Sequence, residues 1–213
     1  MHQFRDQMLA DIFDRGQSLS FGDVVSELAK EATEIHQVWS SPHGWAPIAA
    51  ADLLSRSRLD WQVSLTKCLA GWSAATTAEE SDGRLILAWA NLGALVEGTL
   101  KWFLSIFYED YRTDVEAIRR RGSLQEPDVL TLEPLRKFFR LRVWTDHERI
   151  DWDVWVQHVQ QRRNAIHSYA SRPIGDWNEF QMDVRVYLVF LKVLNWRVPA
   201  PEFDNGELGD EEY

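Results

Sequence analysis

The stretch GRLILAWANLGALVEGTLKWFLSIFYEDY, residues 83–111, constrains the fold more than any other part of the chain. Its apolar residues neither alternate nor keep to one stripe. At 100° per residue they cover most of a helix circumference. Such a helix needs neighbours on nearly every side, so the stretch predicts the central rod of a helical bundle. Ser81 or Asp82 opens it. Gly93 and Gly98 interrupt it; each costs about 1 kcal/mol relative to alanine, and each leaves room for a neighbouring helix to come close. Glu97 lies between them, and a carboxylate there is expected to be met by packing and hydrogen-bonding partners.

Helical signals fill the rest of the chain, and alternating apolar runs closed by Asn-Gly or Asp-Gly turns are absent. Residues 4–13 read as a short helix. Ser20 caps a second, with Asp23 three residues on, running to about Trp39. SSPHGWAP, residues 40–47, breaks the pattern, and Pro47 suits the first turn of a long helix over residues 48–73. RRRGSLQEPD, residues 119–128, reads as an exposed loop. Further helices are expected over residues 131–143 and 151–170, with a turn at 171–176. Asp176 then caps the last helix, with Glu179 at the reciprocal position. The expected fold is all-α: an antiparallel helical bundle over residues 46–198, an N-terminal helical extension over 1–45, and an acidic disordered tail over 199–213.

Composition narrows the functional classes. The single cysteine, Cys68, excludes an intrachain disulfide and a thiolate metal cluster. The N-terminus carries charges throughout and lacks the apolar core of a secretory signal, and the apolar run at 85–96 is too short to span a bilayer, so a cytoplasmic protein without membrane contact is expected. Eleven tryptophans, spread from Trp39 to Trp196, point to packing or a self-association surface. Net charge is −10, and the six acids of the tail account for more than half of it. An acidic body argues against broad nonspecific nucleic-acid binding but leaves room for local cationic sites. Arg119, Arg120 and Arg121 form one basic cluster; Arg136, Lys137, Arg140 and Arg142 form another.

The chemistry concentrates in QRRNAIHSYA, residues 161–170. With Trp152 at zero on a helical wheel, Val156, Val159, Ile166 and Ala170 fall within about 40° and define a buried stripe. Arg163 lies at about +20°, inside that stripe, and His167 at about +60°, one turn on. Arg162 lies near −80°, close to Tyr169. A guanidinium among apolar residues needs an anion or many acceptors. The face is therefore expected to line a polar cleft or meet another subunit. The plainer reading is an Arg163 that pairs with a carboxylate of a neighbouring helix.

Arg162-x4-His167-x-Tyr169 resembles the R-x4-H-x-Y motif of the HEPN superfamily, and residues 83–198 resemble a HEPN helical bundle around it. That resemblance implies a homodimer whose two motif helices face each other, and metal-independent RNA cleavage in active members. Many such proteins are toxins of toxin–antitoxin pairs or phage-defence effectors; others only bind nucleotides or partners. Spacing favours Arg162 as the motif arginine, whereas the wheel favours Arg163 as the neighbour of His167; both are carried, with Arg162 first. His167 suits proton transfer near neutral pH, and Arg162 or Arg163 suits a phosphorane. Asn164 would orient the histidine or the phosphate, and Tyr169 would donate a hydrogen bond. The resemblance also implies a partner, a cognate antitoxin or a nucleotidyltransferase that attaches AMP to Tyr169. No cofactor and no metal is expected, since the six histidines show no close paired spacing.

Overall fold

The computed structural model describes residues 18–73, 77–167 and 171–199. The expected helix at 4–13, the acidic tail beyond Pro199 and Tyr169 lie outside the described residues. The fold is all-α, apart from one two-stranded sheet. Helices α1 (Phe21–Trp39), α2 (Ile48–Arg56) and α3 (Leu59–Cys68) precede the central α4 (Ala78–Ile106) and the short α5 (Tyr108–Thr113). Strands β1 (Arg119–Arg120) and β2 (Ser123–Leu124) follow, then α6 (Leu132–Phe138), α7 (Asp146–Glu148), α8 (Val154–Arg163) and α9 (Trp177–Arg197). Among the described residues no helix is long and apolar enough to cross a membrane.

Helix α4 is the rod expected from its all-round apolar surface. Leu85, Trp89, Leu92, Leu95, Val96 and Leu100 are buried on it, and α2, α3, α5, α6, α8 and α9 all pack against it. Helix α1 starts where Ser20 predicts: Ser20 Oγ accepts the Asp23 N–H at 3.2 Å and donates to its carboxylate at 2.6 Å. Its stripe of Val24, Leu28, Ala32 and Ile35 is buried against α3 and α9, so this helix shares the common core. Asp176 caps α9 by accepting the Glu179 N–H at 2.9 Å. Several tryptophans are core pieces: Trp39 stacks near Trp45 and Trp102, and Trp89 meets Phe180 edge-on at 5.3 Å. Trp61 and Trp196 are exposed.

Four expectations need correction. The central helix does not open at Ser81 or Asp82: it begins a turn earlier, at Ala78, after an extended Thr77. The single helix at 48–73 is two helices and a closing 3-10 turn (Leu69–Ser73). The break has local causes. Ser57 Oγ donates back to the Leu54 carbonyl at 2.6 Å, and Arg58 turns its guanidinium onto Asp60 at 2.6 Å and over the Trp61 ring at 3.9 Å. The expected loop at 119–128 contains the β-hairpin. Its turn is Arg121-Gly122, both at positive φ (53° and 84°), with Arg in place of the usual Asn or Asp. The expected helix at 151–170 starts earlier and is not uniform. Thr145 donates its N–H and hydroxyl to Glu148, each at 2.9 Å, to begin α7. The chain then widens to a π-turn at Arg149–Asp153, is regular in α8, and tightens to 3-10 over Asn164–His167. A single wheel therefore holds only within α8: Ile166, expected in the buried stripe, lies in the 3-10 turn and is exposed.

Candidate functional site

Helix α8 lies between α4 and α9, and its last two residues turn to opposite neighbours. Arg163 faces α4. Gly93 supplies the space: a Cβ there would stand 2.8 Å from Arg163 Cβ and Cγ, so the stem of the arginine lies on the bare backbone of α4. The guanidinium reaches one turn further and donates from Nη1 to Glu97 Oε2 at 2.6 Å. Glu97 also receives Lys101 at 2.9 Å and the Leu132 N–H, at the start of α6, at 3.1 Å. Burial pushes the Glu97 carboxyl up, but Lys101 and Arg163 outweigh it and hold it below the usual carboxylate range. Two cations thus share one anion, leaving a half-buried cluster with one surplus positive charge.

Arg162 faces α9. Its Nε and Nη2 reach Glu179 Oε1 at 2.8 and 2.6 Å, and Nη1 donates to the Pro173 carbonyl at 2.5 Å. Glu179 Oε1 also lies 3.0 Å from His158 Nε2, which is 3.1 Å from Asp183 Oδ2. Asp183 accepts the Trp155 indole N–H at 2.8 Å, and the His158 ring meets Trp89 edge-on at 5.8 Å. The hydrogen bond to Asp183 raises the pKa of His158; burial opposes it, the charges of Asp183 and Glu179 add to it, and Arg162 subtracts. This side is rich in acid where the α4 side is rich in cation.

His167 ends the 3-10 turn and is exposed, with no partner among the described residues. Its turn runs against α4, the helix that Arg163 also contacts. Asn164 is half-buried at the C-terminal cap of α8. Of the residues singled out by sequence, the structure places Arg163 against α4 and Arg162 apart against α9, while Asn164 and His167 belong to the 3-10 turn that follows and have no side-chain partner on either helix among the described residues. Arg163 does pair with a carboxylate of a neighbouring helix, as its plainer reading expects.

Sequence reasoning missed Lys101, His158 and Asp183, and read Glu179 only as a cap. The spacings were visible: Glu97 and Lys101 are four apart, as are His158 and Arg162, and Glu179 and Asp183. What was not visible is which helix each pair faces. His158, Glu179 and Asp183 converge as three possible ligands for a divalent ion, their donor atoms all within 4.8 Å of one another. The Glu179 oxygen nearest His158 already holds the Arg162 guanidinium, so an ion would have to displace a cation. Comparison with protein-family models, with curated proteins and with solved structures finds no match.

Proposed function

We propose that this chain is a HEPN-like, metal-independent endoribonuclease of the toxin or phage-defence kind, acting as a homodimer. The observation that carries the reading is the surplus cation on the α4 side: Lys101 and Arg163 share Glu97, and the exposed His167 follows on the same helical run. Arg163 uses one N–H group on Glu97 and keeps others for phosphate oxygens. The RNA supplies the nucleophile. Its 2′-oxygen attacks phosphorus, the bond to the 5′-oxygen breaks, and a 2′,3′-cyclic phosphate and a 5′-hydroxyl result. His167 takes the 2′-hydroxyl proton, and His167 of the second copy gives one to the leaving oxygen. Arg163 and Lys101 offset the charge on the phosphorane. Asn164 orients the phosphate. Tyr169 is the acceptor through which a nucleotidyltransferase or antitoxin silences the cleft. A cytoplasmic location follows from the substrate.

A second reading, a noncatalytic dimer that binds a nucleotide or partner, is favoured by Arg162. Each of its three nitrogens is engaged by Glu179 or the Pro173 carbonyl, which makes it a structural clamp. Incubating labelled RNA in chelator with wild type, Arg162→Ala, Arg163→Ala and His167→Ala separates the two. Cleavage should persist in wild type, disappear in His167→Ala and drop about a hundredfold in Arg163→Ala. Arg162→Ala should lower the melting temperature more than the rate. Intact RNA after incubation with folded wild type, together with a melting temperature raised by nucleotide, selects the second reading.

A further inference from the structure

The two basic clusters of the sequence meet different fates. In the second, every cation is answered. Arg136 reaches Asp153 at 2.5 Å, Lys137 reaches Glu133 at 3.2 Å, Arg140 lies 3.8 Å from Asp153, and Arg142 reaches Asp114 at 2.7 Å. In the first, Arg119, Arg120 and Arg121 are exposed and have no carboxylate partner among the described residues. Three adjacent unanswered arginines are an anomaly on a chain of net charge −10.

Their scaffold is firm. Arg119 pairs with Leu124 and Arg120 with Ser123, and the Gln125 N–H closes onto the Ile118 carbonyl at 2.8 Å. Beneath the ribbon, the buried Tyr111 hydroxyl donates to the Gln125 carbonyl at 2.7 Å and accepts the Ile118 N–H at 3.2 Å, clamping both strands to α5. Successive strand residues face opposite sides, so Arg119 and Arg120 charge both faces of the ribbon and Arg121 charges its tip. Arg121 stands at φ 53°, a left-handed position that Asn, Asp or Gly adopts with less strain. An arginine kept in a strained turn points to a use for its side chain.

We infer that this arginine-tipped hairpin is a second nucleic-acid contact, gripping the phosphodiester backbone of RNA away from the α8 site. The choice of RNA rests on the function proposed above; the demand for a polyanion rests on the hairpin alone. Guanidinium groups on a ribbon whose backbone is already held bind phosphates without ordering the main chain and without reading sequence.

The test is anisotropy of a fluorescein-labelled single-stranded RNA across a salt series, with His167→Ala protein to prevent cleavage. Adding Arg119→Gln, Arg120→Gln and Arg121→Asn together should weaken binding about tenfold or more and lower the slope of log affinity against log salt by about 2. Arg121→Asn alone suits the turn and should weaken binding while the melting temperature stays level or rises. Unchanged affinity and slope in the triple variant would overturn the proposal, as would absence of RNA binding. Hairpin-dependent binding of a polyglutamate peptide in preference to RNA overturns it in favour of an acidic protein, such as the chain's own tail. Cleavage is measured separately on His167-intact protein. Loss of the hairpin effect with cleavage retained condemns only this proposal, and hairpin-dependent binding without cleavage condemns only the nuclease.

Discussion

Arg162 and Arg163 are neighbours in sequence and about 100° apart on the helix, which is enough to send one to α9 and the other to α4. The wheel already placed Arg163 in the buried stripe, because α8 itself is regular. That its partner is Glu97, sixty-six residues away, was beyond a local reading. His158 gives a prediction at the same scale. Its folded pKa is raised, chiefly by Asp183. A raised pKa means that its stabilisation is complete below about pH 6.5 and is lost as pH climbs through the folded value. The wild-type melting temperature should therefore fall over that interval, and His158→Gln, which cannot titrate there, should show a flatter profile. Parallel profiles for the two proteins would remove the charged His158 from the network.

Helix α4 works through what its glycines omit. At Gly93 an added methyl would meet the near end of the Arg163 side chain, atoms fixed by the α8 backbone, so the helices must separate. At Gly98 the obstacle is the amide of Gln62, the far end of a flexible side chain. At Gly83, exposed near the start of the helix, nothing lies within 4 Å. Gly93→Ala should thus destabilise by about 1–3 kcal/mol, whereas Gly83→Ala should stabilise by up to about 1 kcal/mol. Chemical denaturation of both variants checks the sign reversal; equal effects would mean that Arg163 does not lie on bare backbone. Close approach at Gly93 was legible from composition, but its partner helix was not. The hairpin was missed for a different reason: Arg121 does not carry the local turn preference of Asn or Asp, so the strand pairing itself holds it at positive φ.

Among the described residues, α1, α3, α4 and α9 share one continuous apolar core, which binds α1 to the remainder. The proposed cleft requires two copies, and that requirement is testable without RNA. Sedimentation equilibrium should give a dimer, with a melting temperature that rises with protein concentration. A monomer at every concentration would leave His167 without its counterpart and end the two-copy mechanism.

By itself, the sequence determined what depends on neighbours along the chain: the helical periods, the Ser20 and Asp176 caps, the all-round apolar surface that makes α4 central, and the presence of Arg163 within a buried face. These follow from rules that act over one or two turns. Only the tertiary structure decided which carboxylate meets which guanidinium, and therefore that the α4 side of α8 keeps a surplus cation while the α9 side does not. Coulomb pairing acts across space between segments far apart in the chain, and the helical period records which way a side chain points but not what stands opposite it.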